Sequence, residues 1–297
     1  MCYLTIFTPT YNRAYCLKKA YDSLKKQTIN DFEWLIIDDG SSDETKQLIK
    51  QFQNENNQFS IRYYYQKNSG KHIAINNAVK LAKGKLFLIL DSDDYLSCDA
   101  VAWIKESEQQ ISYKKNYGGI VGCKLNFNGC LIGSTFDDCN YKDITFLERA
   151  DNNITGDKAE VFYTDLLKKY PFPIIKDEKF CTEAVVWNRI AQDGWIFRYF
   201  NKGIYHCEYL SDGLTKNFRK LFMNSPTYSY MYIKSLLDSY PFMNFKEKNK
   251  NLTLAVLYAK RANIEKKIII KELKINYLKY IFYSFIGLLR NIYRGFL

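Results

Sequence analysis

The sequence predicts an α/β fold: a mostly parallel sheet with helices on both faces, followed by a helical C-terminal extension. Three observations predict it. Strand-like and helix-like stretches alternate over residues 1–95. The strand-like stretches Leu4–Thr8, Phe32–Ile37 and Lys85–Leu90 are short, continuous apolar runs, as expected of parallel strands buried on both faces. From about Asn217 onward the pattern is mainly helical.

The elements follow in order. Leu4–Thr8 is a buried strand ending at Pro9, and Ala14–Lys26 is a helix. Phe32–Ile37 is a second strand, ending in Asp38-Asp39-Gly40. Ser41-Ser42-Asp43 has the composition of a helix N-terminus, and that helix runs to about Asn56. Ile61–Gln66 is a third strand. Gly70–Ala82 is a helix with Gly84 just past its end, and Lys85–Leu90 is a fourth strand. Beyond it, Gly118–Leu131 is expected as a strand or hairpin and Lys158–Lys169 as a helix. Thr182–Gln192 is expected as a helix, and Ile196–Phe200 and Ile204–Glu208 as short strands.

The chain has 297 residues, 47% of them apolar and 25% charged, which suits a globular protein with a sizeable core. A net charge of +11 points to nucleic acid, an anionic membrane or phosphate-bearing substrates. No nucleic-acid motif is present, so nucleic acid is not expected as a partner. The eight cysteines form no CxxC pair and no zinc-finger spacing with histidine, as in reduced thiols of a cytoplasmic protein. Met1-Cys2-Tyr3-Leu4 enters the first strand without a basic leader, so no signal peptide is expected. No apolar run approaches the roughly 18 residues of a membrane span. Leu273–Leu297 combines aromatic and aliphatic residues with Lys274, Lys279, Arg290 and Arg294, the composition of a helix lying in a membrane interface. The alternatives for it are packing on the protein's own core or on a second subunit.

Ligands of open α/β sheets bind beyond the carboxyl ends of the strands. Three polar motifs fall there: Pro9-Thr10-Tyr11-Asn12-Arg13, Asp38-Asp39-Gly40-Ser41 and Asp91-Ser92-Asp93-Asp94. An Asp-x-Asp straight after a buried strand suits Mg²⁺ or Mn²⁺, hard cations that take few protein ligands and leave positions for phosphate oxygens. Asp38 and Asp39 can accept hydrogen bonds from a base or ribose, and Tyr11 offers a ring face for stacking. Asn68-Ser69-Gly70-Lys71-His72 opens a helix where backbone N–H groups and Lys71 can meet an anion, while His72 reads equally well as a capping residue. Glu183 stands at the start of a helix, where it is either a general base or simply favoured by the helix dipole.

Thr8-Pro9-Thr10-Tyr11-Asn12-Arg13, Ile37 to Asp43, Asn68-Ser69-Gly70-Lys71, Asn76-Asn77-Ala78, Gly84 and Leu90 to Asp94 together resemble the family 2 glycosyltransferases of bacterial polysaccharide and lipopolysaccharide synthesis. The resemblance covers roughly residues 1–125 and implies the Rossmann-like GT-A fold. It divides the chain into a domain at 1–215, with a nucleotide-sugar half at 1–125 and an acceptor half at 126–215, and a helical extension at 216–297. It implies that Thr8, Pro9, Tyr11, Arg13, Asp38, Asp39, Lys71, Asp91 and Ser92 bind a nucleotide sugar, usually a UDP-sugar. Tyr11 would stack on the base, Asp38 and Asp39 would hold base or ribose, Asp91 would contact ribose or sugar, and Asp93 would ligate the metal. His206 would be a further metal ligand. Members of the family often carry Glu-Asp at a helix start with a basic residue about six positions on; here Glu183-Ala184 and Arg189 match except for the second acid. Glu183 is then the candidate base, with Asp157 and Asp177 as fallbacks. Residues 208–215 would form a lid. The expected acceptor is a saccharide, lipid-linked at the inner face of the cell membrane, which would make the protein a cytoplasmic, peripheral one; oligomers are possible.

Two other functions compete. A sugar nucleotidyltransferase shares the sheet and the acidic residues, but usually has a Gly-rich basic loop after the first strand, where this chain has Pro9-Thr10-Tyr11-Asn12. A non-catalytic membrane-surface binder would use the charge alone and leave the three strand-end motifs unexplained.

Overall fold

The computed structural model describes residues 2–207, 218–240 and 243–293. Two compact units are present: Met1–Phe172 with Ile190–Ser211, and Pro173–Arg189 with Asp212–Leu297. Residues 173–189 thus group with the C-terminal helices, whereas a division at residue 215 leaves them with the sheet.

The first unit begins with β1 (Leu4–Thr10), α1 (Ala14–Lys25), β2 (Phe32–Asp38), α2 (Thr45–Asn54), β3 (Ser60–Tyr65), α3 (Lys71–Leu81) and β4 (Leu86–Ile89). It continues through β5 (Tyr95–Leu96), α4 (Ala100–Gln109), β6 (Tyr117–Asn126), β7 (Tyr141–Ile144), β8 (Lys158–Tyr163) and the single turn α5 (Thr164–Leu167). Helix α6 (Ala184–Gln192) then leads into β9 (Ile196–Cys207). The strands form one sheet of order β3-β2-β1-β4-β8-β6-β9-β5, with β7 paired to β9. Strands β3, β2, β1 and β4 are mutually parallel. Beyond them the sheet is mixed: β8 is antiparallel to both β4 and β6, and β5 and β7 are antiparallel to β9.

Alternation along the parallel strands separates the two faces. Leu4, Ile6, Trp34, Ile36, Leu86 and Leu88 pack with Leu17, Tyr21 and Leu24 of α1, Phe52 of α2 and Ile104 of α4. The intervening Phe7, Leu35, Ile37 and Phe87 are equally buried on the other face, where α3 lies against β1 and β2.

Two sequence expectations are corrected. Lys158–Lys169 is a strand followed by one helical turn, because its first six residues pair with both β4 and β6. The two short strands after residue 196 are one strand of 12 residues. The strand or hairpin expected at Gly118–Leu131 is present as a strand to Asn126 that folds back through a turn, with Leu125 bridging Leu131.

The second unit contains α7 (Phe218–Asn224), α8 (Pro226–Ser239), α9 (Phe245–Arg261), α10 (Lys266–Glu272) and α11 (Tyr277–Tyr293). Its core includes Phe222, Tyr230, Ile233, Val256, Ala259, Ile269 and Tyr283. Among the described residues no helix is long and apolar enough to cross a membrane.

Candidate active site

Four chain segments meet at the carboxyl edge of the parallel strands, and each is tied to the next. After β1, Asn12 adopts a left-handed backbone conformation (φ 51°). Its N–H donates to Ser41 Oγ at 2.8 Å, and its side-chain oxygen accepts from Ser42 N–H at 2.8 Å. This joins the β1 end to the β2 end. Gly40 carries the next join: its φ is +93°, and a Cβ there would stand 2.8 Å from Asn68 N, so only glycine lets the two loops approach this closely.

Asp38 and Asp39 are both buried. Asp38 accepts from Ser41 N–H and from the Tyr63 hydroxyl, each at 2.8 Å. Asp39 accepts from Gln66 Nε2 and Ser69 N–H at 2.7 Å and from Gly70 N–H at 2.8 Å. The acidic pair therefore organises the loop that opens α3. That loop delivers Lys71, whose Nζ lies 2.7 Å from Asp91 Oδ1, closing the series at the end of β4.

Asp91-Ser92-Asp93-Asp94 forms a tight turn in which Asp94 N–H donates to Asp91 O at 3.1 Å. Its three carboxylates differ in environment. Burial pushes the Asp91 carboxyl up, but Lys71 and Lys124 outweigh it and hold it below the usual range. Burial and the neighbouring Asp91 charge raise Asp93. The same two causes push Asp94 up to about 6, although Lys124 and a hydrogen bond from Tyr205 oppose them. Like charges crowded in this way favour binding a cation.

The other residues named from sequence are placed as follows. The Thr8 hydroxyl lies in the core, accepting from Trp34 Nε1 at 2.9 Å, so its side chain serves the fold. Pro9 is partly exposed and Ser92 is buried. Tyr11 is 49% exposed at the strand end. Arg13 bonds the Tyr15 hydroxyl, and its charge reaches Asp91 and Asp93. His206 on β9 stacks on Tyr95, with ring centroids 4.6 Å apart, and Nε2 lies 3.0 Å from Ser97 Oγ. Burial lowers its pKa, which favours the neutral imidazole a metal would need. Glu183 is half-buried at the start of α6, its carbonyl accepting from Val186 and Trp187 N–H. It belongs to the second unit. Asp157 lies beside β8 in the first unit, and Asp177 in the second with φ 66°. The lid expected at 208–215 lies outside the described residues.

Lys124, Tyr205 and Cys207 surround the acidic turn and were not singled out from sequence. The available signal is Lys124 itself, a lone charge following the apolar run Ile120–Cys123.

Among the described residues no three His, Cys, Asp or Glu side chains gather as a ready-made metal cage. This still fits Mg²⁺ or Mn²⁺, which use one or two carboxylates and complete their shell with phosphate oxygens and water. Asp93, raised by burial and by Asp91 yet still partly accessible, suits the single carboxylate of such a site.

Residues 5–128 match the family model described as glycosyl transferase family 2. The undecaprenol-linked GalNAc(5)-diNAcBac β-1,3-glucosyltransferase of Campylobacter jejuni is 25% identical over 263 residues, covering 86% of this chain and 80% of its own length. The match spans 40% of an uncharacterized Mycoplasma genitalium glycosyltransferase, 33% of an uncharacterized Bacillus subtilis one and 14% of the Escherichia coli chondroitin synthase. The S. aureus TarS 1–349 structure with UDP superposes with a TM-score of 0.59 at 18% identity, covering 100% of this chain and 92% of that one. The Pyrobaculum calidifontis mannosyltransferase with GDP-Man and Mn²⁺ gives 0.57 at 14% identity, covering 98% and 87%. The fold is that of the GT-A glycosyltransferases. Residues 5–128 thus carry the glycosyl transferase family 2 match, and the chain shares its fold with TarS and the Pyrobaculum mannosyltransferase.

Proposed function

We propose that the protein is an inverting glycosyltransferase that moves a sugar from a UDP-sugar to a saccharide acceptor carried on a lipid. The observation that carries this reading is the continuous series at the sheet edge: exposed Tyr11, the Asp39-braced loop, the Lys71–Asp91 pair and the partly buried Asp93. A base, a ribose and a diphosphate in that order would meet an aromatic face, polar groups, and a cation-and-carboxylate pair. The UDP in TarS and the undecaprenol in the Campylobacter enzyme's name support donor and acceptor class. Ser92 and Pro9 would line the nucleotide through the backbone, and Thr8 would act only through the fold.

Asp93, with His206 as a second candidate, would hold Mn²⁺ or Mg²⁺, which supplies charge neutralisation for the departing diphosphate. In the transfer, an acceptor hydroxyl attacks the anomeric carbon while the bond to the diphosphate oxygen breaks. Glu183 is the candidate to take the hydroxyl proton. No covalent intermediate forms, so the anomeric configuration inverts.

Membrane attachment belongs to the same reading. The outer face of α11 exposes Leu278, Ile281, Phe282, Phe285, Leu288 and Leu289 in one stripe, while Tyr283 on its inner face bonds Asn249 of α9 at 2.6 Å. Lys266, Lys267 and Lys271 on α10, Lys274 after it and Lys279 on α11 are also exposed. An exposed apolar stripe on a chain segment rich in exposed lysines fits an anionic bilayer surface, at which a lipid-linked acceptor would be presented.

The test is transfer from a panel of nucleotide sugars with and without Mn²⁺. Asp93→Ala should abolish metal-dependent UDP binding and transfer. Full activity of that variant in a chelator would overturn the metal-assisted mechanism, and release of pyrophosphate from a nucleoside triphosphate would move the protein to the nucleotidyltransferases.

A further inference from the structure

The acidic turn stands in an unusual place in the sheet. It follows β4, yet β5, which comes directly after it, pairs with β9 at Tyr95↔His206. In the sheet order β4-β8-β6-β9-β5, residues 90–94 therefore carry the chain past three intervening strands. A short connection of this kind needs anchoring on its far side, and β9 and β6 provide it.

Tyr205 is fully buried. Its phenol oxygen accepts from Asp91 N–H at 2.9 Å, and its hydroxyl is hydrogen-bonded to the Asp94 carboxylate. One phenol thus ties both ends of the turn. Cys207, two residues on along β9, adds a thiol hydrogen bond to Asp94. Lys124 is the register partner of Tyr205 on β6, and its Nζ lies 4.1 Å from the Tyr205 ring centroid. Its charge acts on both Asp91 and Asp94. A cation over a buried ring, with two carboxylates in range, is expensive to desolvate and is retained here where it orients other charges.

We infer that Tyr205 and Lys124 are positioning residues: together they fix the Asp91–Asp94 turn against β9 and β6 so that Asp93 is presented to the nucleotide diphosphate. The inference rests on the glycosyltransferase reading above. It assigns to Asp94 the task of anchoring the turn, leaving Asp93 free for the metal. Neither Tyr205 nor Lys124 is required to touch the substrate.

The test uses the full chain as wild type, Tyr205→Phe, Lys124→Met and Lys124→Arg. Each is titrated with UDP by calorimetry, in chelator and at fixed Mn²⁺, and thermal melts are recorded in parallel. In Tyr205→Phe the ring stays in the core and only the hydroxyl is lost. The Mn²⁺-dependent UDP affinity should fall about 10- to 100-fold, as when a group supporting a metal ligand is removed. The metal-free affinity, carried by Tyr11 and the loop at Asp39, should stay unchanged. Lys124→Met should behave alike, and Lys124→Arg should recover most of the loss by keeping the charge. Should Tyr205→Phe fail to fold, the Met and Arg pair at Lys124 decides alone. Wild-type Mn²⁺-dependent affinity in these variants overturns the inference. So does an equal loss with and without Mn²⁺, which would mark a purely structural role. Absence of Mn²⁺-dependent UDP binding in the wild type itself would reject the functional reading on which the inference stands.

Discussion

Replacing Asp39 by Asn removes one acceptor oxygen from a carboxylate that holds three donors. Gln66 Nε2 and Ser69 N–H share Oδ1, and Gly70 N–H binds Oδ2. An amide keeps a single oxygen. Either Gly70 N–H or the Ser69 and Gln66 donors must then face an NH₂ group in a buried setting. Losing one charge-assisted hydrogen bond and leaving a buried donor unpaired each cost roughly 1–3 kcal/mol, so about 3 kcal/mol is expected in total. For a unit of this size that lowers the melting temperature of the ligand-free protein by about 6–10 °C. The assay is calorimetric melting of wild type and Asp39→Asn without nucleotide, followed by UDP titration. UDP affinity should fall as well, because the loop sets Lys71 on Asp91. A residue that only contacts base or ribose would lose affinity and leave the ligand-free melt in place. Superposable melts with lost UDP binding would refute the bracing role.

Three further outcomes are expected. Asp94, whose carboxyl is pushed from 3.8 up to about 6 by burial and by Asp91, gives stability that is complete below its ordinary value and is lost as pH rises through about 6. At about 1.4 kcal/mol per unit this amounts to at most about 3 kcal/mol. Thermal melts of Asp94→Asn should therefore gain on wild type between pH 4 and pH 7, and a difference that is flat with pH would contradict the assignment. Gly84→Ala would place a Cβ 2.3 Å from Thr5 N and 2.6 Å from the Leu4 carbonyl carbon. It should cost at least about 3 kcal/mol in urea unfolding, since strand backbone has to move. Changing Leu278, Phe282 and Phe285 together to Gln should weaken sedimentation with phosphatidylglycerol vesicles at least about tenfold. These side chains are exposed, so the fold should be kept, and unchanged vesicle binding would reject α11 as the contact surface.

How far the sequence is legible depends on burial geometry. Strands β1, β2 and β4 show as predominantly apolar runs, interrupted only by residues such as Thr5 and Glu33, because both of their faces are covered. Strand β8 is misread because Lys158 and Glu160 alternate with apolar residues directly before the helical turn Thr164–Leu167, and the two together mimic a longer helical pattern. Strand β9 looks interrupted because Asn201 and Lys202 are exposed at its middle. It continues because β7 pairs with its first half and β6 with its full length. That pairing is between segments far apart in sequence, and no local pattern signals it.

The site divides in the same way. Pattern alone places Asp38, Asp39 and the acidic turn at strand ends, since a polar cluster after a buried strand has few other locations. It does not separate a carboxylate that meets ligand from one that meets backbone. The structure gives the partners of each acid. Asp38 and Asp39 accept from donors of their own loops. Asp91 is paired to Lys71, Asp94 is tied to Tyr205 and Cys207, and Asp93 is left partly open. A cluster of five acids at one sheet edge would repel itself unless most were matched to donors. The acids matched to donors are committed to the fold of this edge, and the partly open Asp93 is the one proposed above to hold a metal.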